Sequence, residues 1–178
     1  ISLVLVGILL NAMTQFPSGD SLLAWWFQYT VDSERGEVTL RGIRDEVIIR
    51  RDALGIPVIE AKNREDLAFA IGFVMAHDRL EQMVGLTLTA QGRLAEMAGP
   101  VALDIDVYLR TLGLRRVSEQ QYAQLSEETK HFLQQFSNGV NSYLDTHRDR
   151  LPAGLRMARY DPEPWTPLNS VDLLTLVN

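Results

Sequence analysis

The stretch VIIRRDALGIPVIEA, residues 47–61, and the change of pattern that follows it at Asn63 constrain this chain more than any other feature. Val47, Ile48 and Ile49 form a β-branched run, Leu54-Gly55 is a turn signal, and Pro57 opens a second short apolar run. Such residues suit a pleated, half-buried surface, and a proline at the first position of a strand is well tolerated. The spacing predicts strands over residues 47–51 and 57–61, joined as a hairpin. A further short strand is expected over residues 37–40. From Asn63 the apolar positions recur every three or four residues: Leu67, Ala70, Ile71, Val74, Met75, Leu80, Met83 and Val84. That is the signature of a helix with one buried face. Asn63 suits an N-cap, and Glu65 and Asp66 fall where the helix dipole favours acids. A hairpin followed by helices predicts an α+β fold, or one part of a larger α/β architecture.

The helical pattern continues downstream. Residues 94–98 read as a short helix stopped by Gly99-Pro100, and residues 102–112 and 118–124 as further helices. Ser126 caps a long helix whose stripe is Phe132, Leu133, Phe136, Val140, Tyr143 and Leu144. Residues 151–164 read as loop. Thr166-Pro167 has the form of an N-cap and first position of a last helix. No internal repeat is visible.

The first ten residues, ISLVLVGILL, are apolar throughout. As a helix they reach roughly 15 Å, about half of a bilayer core. They read as the tail of a signal peptide or of an N-terminal membrane anchor, with a buried strand or helix as the alternative. Residues 11–20 form a linker. Trp25, Trp26 and Phe27 suit a membrane interface or a core equally. This gives residues 1–36 as leader and linker and residues 37–178 as the folded part. It also implies a periplasmic location, or anchoring in a membrane with the domain facing the periplasm or exterior. The apolar end, SVDLLTLVN, carries no cap and suggests a fragment of a longer chain. The formal charge of -6, with no basic run longer than a pair, argues against a nucleic-acid partner. The absence of cysteine excludes disulfides, thiolate metal sites and a Cys nucleophile.

His77-Asp78-Arg79 is the most conspicuous chemical candidate. Neighbours on a helix point about 100° apart, so the three cannot all face one substrate. Asp78 and Arg79 are expected to pair with groups on other elements, with His77 in a structural or supporting role. Asp104 and Asp106 match the first two acids of a calcium loop, but the glycine and distal glutamate of such a loop are missing. His131 and His147 have no second ligand nearby in sequence and read as surface or capping residues. Ser137-Asn138-Gly139 lies inside the long helical pattern and reads as helix packing rather than as a nucleophile turn. No catalytic or metal-binding set assembles from these residues, and substrate-binding residues are not assigned.

Five stretches together resemble the penicillin acylase family of N-terminal nucleophile hydrolases, which includes penicillin acylases and acyl-homoserine lactone acylases. They are RDALGIPVIEA from Arg51, GFVMAHDRLEQM from Gly72, QGRLAEMAG from Gln91, GVNSYL from Gly139 and PEPWTP from Pro162. In that family the helix carries an Asp-Arg-Leu core, matched by Asp78, Arg79 and Leu80. The preceding residue is commonly Gln, where this chain has His77, so a role for His77 as base is not implied.

The resemblance implies a hairpin and helices that form part of the small chain of an αββα fold. It implies a precursor that cuts itself and exposes a serine at the start of a larger chain. The α-amino group of that serine, with a reference pKa of about 7.7–8.0, serves as base. Backbone N–H groups and an Asn hold the oxyanion. Of the nine serines here, only Ser137 precedes an Asn, and it follows Phe136 rather than a glycine. The nucleophile, the oxyanion Asn and the ligands of a structural calcium are therefore expected outside this chain. The implied substrate is a small acyl amide, and the implied partner is the larger chain of the same precursor. Residues 171–177 are expected near the acyl pocket, with core packing as the alternative. A catalytically inactive or membrane-anchored binding module of the same fold is the rival reading.

Overall fold

A computed structural model describes residues 40–177. The expected leader, the linker and the aromatic cluster at Trp25 lie outside the described residues. So does the strand expected at 37–40, except for Leu40, which is irregular.

The hairpin forms as expected. Strand β1 (Ile48–Arg51) pairs antiparallel with β2 (Pro57–Glu60), with Ile49 opposite Ile59 and Arg51 opposite Pro57. Asp52 builds the turn: its Oδ1 accepts the N–H groups of Leu54 at 2.9 Å and Ile56 at 2.8 Å. Gly55 takes φ of 80°, a conformation that favours glycine.

Helix α1 (Arg64–Gln91) follows, with the Asn63 side chain accepting the Asp66 N–H at 2.8 Å. It ends at Gly92 in the left-handed region, where a Cβ would strike the Asp106 carbonyl. Arg79 breaks the helical path with φ of -145° and ψ of 22°, so α1 is kinked beside Asp78. Then come α2 (Ala95–Ala98), a 3-10 turn at Pro100–Ala102, α3 (Leu103–Leu112) and α4 (Leu114–Gln124). Helix α5 (Glu127–His147) is capped by Ser126, and a second 3-10 turn, Arg148–Arg150, closes it. Short α6 (Ala153–Ala158) and α7 (Pro167–Val177) complete the described order.

Two expectations of extent are corrected. Helix α4 begins at Leu114, ahead of the expected 118–124, because Gly113 at φ of 75° ends α3 and lets the next helix start at once. The expected loop of 151–164 contains α6, whose Leu155 is fully buried. A six-residue helix is too short to stand on propensity and exists through such packing.

The core lies where α1 and α5 cross. Ala76, Leu80, Met83, Val84 and Leu88 of α1 meet Phe136, Val140, Tyr143 and Leu144 of α5, with Leu151, Leu155 and Trp165 closing the ends. These are largely the stripes that the sequence spacing predicts. The hairpin contrasts with this core: Ile48, Ile49, Leu54, Ile56 and Val58 are all exposed. No helix among the described residues is long and apolar enough to cross a membrane.

Candidate functional site

Strand β1 carries Arg51 to the kinked part of α1. Its guanidinium donates to both oxygens of Asp78, at 2.6 and 3.0 Å, and to the Gly55 carbonyl at 3.0 Å. This two-point geometry is the strong form of a charged hydrogen bond. His77 Nδ1 stands 2.8 Å from Asp78 Oδ1 and 3.4 Å from Arg51. Burial pushes the Asp78 carboxyl up, but hydrogen bonds and charge from Arg51 and His77 together hold it below its ordinary range.

The edge of the His77 ring meets Tyr143 at 5.8 Å, and Tyr143 stacks on His147 at 4.2 Å. The groups bonded to His77 are a carboxylate and a guanidinium, so its ring orients charge rather than activating a hydroxyl. Asp78 pairs across elements as expected. Arg79 does not, because its side chain is exposed and donates to Gln82 of its own helix at 3.2 Å.

A second centre forms around Arg93, just past α1. It donates to both oxygens of Glu96, at 2.7 and 2.8 Å, and to both of Glu163, at 2.9 and 3.2 Å. The hydrogen bond from Arg93 holds the Glu163 carboxyl below its usual range, and the carboxylates raise the Arg93 guanidinium further. Two residues on, Trp165 is held at both ends of its peptide unit. Asn141 Oδ1 accepts its N–H at 2.6 Å, and Asn141 Nδ2 donates to its carbonyl at 2.9 Å.

The five stretches singled out in the sequence therefore interlock. Arg51–Asp78 joins the first to the second, Arg93–Glu163 the third to the fifth, and Asn141–Trp165 the fourth to the fifth.

Three buried carboxylates complete the polar framework. Asp66 accepts the N–H groups of Arg44 at 3.0 Å and Asp45 at 2.9 Å, and the Asn63 amide at 2.6 Å. Burial raises its pKa, and these donors outweigh burial and lower it. Asp106 accepts the N–H groups of Leu94 and Ala95, each at 2.8 Å, and so caps α2 from the next helix. Asp172, fully buried on α7, accepts Gln91 Nε2 at 2.9 Å and the guanidinium of Arg115.

Asp66 and Asp106 thus spend both oxygens on N–H donors and do not fit a metal site, and Asp104 is exposed. Among the described residues no group of three or more His, Asp or Glu could hold a metal ion. His131 lies at the surface, 3.9 Å from Glu65, and His147 sits in the last turn of α5 beside the Tyr143 carbonyl. Ser137 is buried and donates to the Leu133 carbonyl at 2.7 Å, a packing role. On the last helix, Val171 and Asp172 are buried while Leu174 and Val177 are exposed.

Sequence reasoning missed the buried roles of Asp66, Asp106 and Asp172. The signal was present for Asp172, a lone acid in an apolar run, and weaker for the others.

Residues 46–178 match the family profile described as penicillin amidase. The chain is 45% identical over 150 residues to "Acyl-homoserine lactone acylase QuiP" of Pseudomonas putida, an alignment covering 84% of this chain and 18% of the relative. It is 35% identical over 139 residues to "Penicillin acylase 2 proenzyme" of Pseudomonas sp., covering 78% of this chain and 18% of the relative. Among solved structures, the thermostable penicillin G acylase of Alcaligenes faecalis matches with a TM-score of 0.66 at 27% identity. That match covers 74% of this chain and 71% of the other. This chain thus spans about 18% of the length of these two curated relatives.

Proposed function

This chain belongs to the penicillin amidase family, and from that premise we propose that it is the N-terminal part of an exported acylase precursor. The enzyme hydrolyses a linear amide and releases an acyl group from an amine such as a homoserine lactone or a β-lactam nucleus. The nucleophile is a serine exposed by self-cleavage at the start of a larger chain, outside the residues described above. Its own α-amino group acts as base, so no histidine is needed. The acyl-enzyme then gives its acyl group to water. Any calcium is structural and bound by residues outside this chain, since the buried acids here are committed to N–H donors.

One observation carries the reading: the 45% identity to an acyl-homoserine lactone acylase over 84% of this chain. The interlocking of the five stretches supports it, because it gives them a shared structural purpose. This chain's part is to build the scaffold on which the larger chain packs, on the periplasmic side of a membrane. The acyl preference rests on few contacts, since one methylene in an apolar pocket changes discrimination by only about 1–3 kcal/mol.

The test is to express the complete precursor and follow it by intact mass and by N-terminal sequencing of its products. Incubation with N-acyl homoserine lactones of graded chain length and with penicillin G then reports release of free amine. Cleavage to a chain beginning with Ser, with amine release, is the expected result. An uncut, inert and folded protein would replace this reading with a binding module of the same fold.

A further inference from the structure

The joint between α1, the segment before α7 and α7 itself encloses a cavity of about 30 Å³. Three polar groups with unused bonding capacity line it, one from each element. Thr87 on α1 is 5% exposed, and its Oγ1 has no hydrogen-bond partner. This is unusual, since a helical threonine readily donates to the carbonyl four residues back, as Thr89 does to Gly85 at 2.7 Å. Tyr160 brings a phenol hydroxyl, and Asn169 brings an amide whose Oδ1 accepts the Thr166 N–H at 2.7 Å while its Nδ2 stays open among the described residues. The charged members of the lining, Arg93 and Glu163, are paired with each other at 2.9 Å. The guest that fits this lining is therefore neutral and able both to donate and to accept.

We propose that this cavity is a binding site for an ordered water molecule that ties α7 and the segment before it to α1 through Thr87 Oγ1. The size agrees, because one water needs roughly 10–15 Å³ of such space. The energetics agree as well: a buried hydroxyl left unbonded is costly, and a bridging water is nearly as good as a direct bond. The inference is independent of the catalytic reading, since it concerns how the scaffold is joined.

High-resolution crystal structures of the full-length protein and of its Thr87→Ser and Thr87→Val variants test it. Density for a water within about 3.2 Å of Thr87 Oγ1 is expected. It should persist in Thr87→Ser and vanish in Thr87→Val, and Thr87→Val should melt at a lower temperature than Thr87→Ser. A dry cavity in the unsubstituted protein, or a charged or larger guest, would overturn the proposal, and this observation stands even if neither variant folds. Equal melting temperatures with water present in both variants would overturn the role of Thr87.

Discussion

Gly72 of α1 and Gly139 of α5 are reciprocal at the helix crossing. A methyl group on Gly72 would overlap the Phe136 carbonyl, and one on Gly139 would overlap the Phe69 carbonyl. Each helix thus rests its backbone on the other's glycine, which brings the two core stripes into contact. Backbone cannot yield as a flexible side chain does. Gly72→Ala and Gly139→Ala are each expected to destabilise by about 1–3 kcal/mol or more, the scale of overpacking. Urea unfolding of the purified protein measures this. A loss under about 0.5 kcal/mol, the level of a neutral surface change, would contradict the crossing as described.

The protein is expected to lose stability in acid through identifiable groups. Asp66, Asp78 and Glu163 all have carboxyls held below their ordinary range. In the unfolded chain such groups take up protons near pH values of about 3.9–4.3. The folded state binds fewer protons there, so their contribution is fully present above that range and drains away as pH falls through the folded values. Asp66→Asn should flatten the acid limb of the stability profile, with a cost at neutral pH of about 1–3 kcal/mol from the N–H groups it no longer holds as well. An unchanged acid limb in Asp66→Asn would refute its share.

His77→Gln should leave turnover largely intact in the complete enzyme, because His77 orients charge beside Asp78 and activates no hydroxyl. A fall in kcat beyond about 100-fold, the scale of general acid–base catalysis, would restore His77 as a catalytic residue. Arg51→Met should act differently, loosening the hairpin from α1. Hydrogen exchange of the β1 and β2 amides is expected to quicken in that variant and not in His77→Gln.

Much of the scaffold was legible before any coordinates. The hairpin, the cap at Asn63, the stripe of α5 and the start of α7 at Pro167 each follow from local rules that act within a few residues. What stayed hidden depends on distant partners. Asp106 reads as a possible metal ligand because its sequence neighbours include Asp104, yet it serves the N–H groups of Leu94 and Ala95 twelve and eleven residues away. Arg79 looks like the natural partner for a distant acid, but the kink at its own position leaves it on the surface beside Gln82. Helix α6 was invisible because Leu155 earns its helix only by burial. The centre of chemistry was not legible here in either view. The paired groups of this chain hold its elements together, and the resemblance places the reacting serine elsewhere.

Asp172 and Arg115 offer the sharpest separation of charge from shape. Asp172 is fully buried, while the Arg115 side chain keeps 38% of its surface. Arg115→Met leaves the carboxylate buried with only Gln91 as donor, and removal of one partner of a buried pair typically costs about 3–5 kcal/mol. The partial exposure of Arg115 places the expected value at the lower end of that range, since solvent screens its share. Adding Asp172→Asn to Arg115→Met removes the stranded charge at nearly constant shape, so the double variant should be more stable than Arg115→Met alone. Denaturant unfolding of the four proteins in the cycle yields the coupling directly. If Asp172→Asn makes Arg115→Met worse rather than better, the carboxylate is not the stranded charge, and the clamp of α7 onto α4 and α1 must rest on Ser118, Thr175 and Gln121 instead, whose hydroxyl and amide groups bridge the same two helices at 3.0 and 2.9 Å.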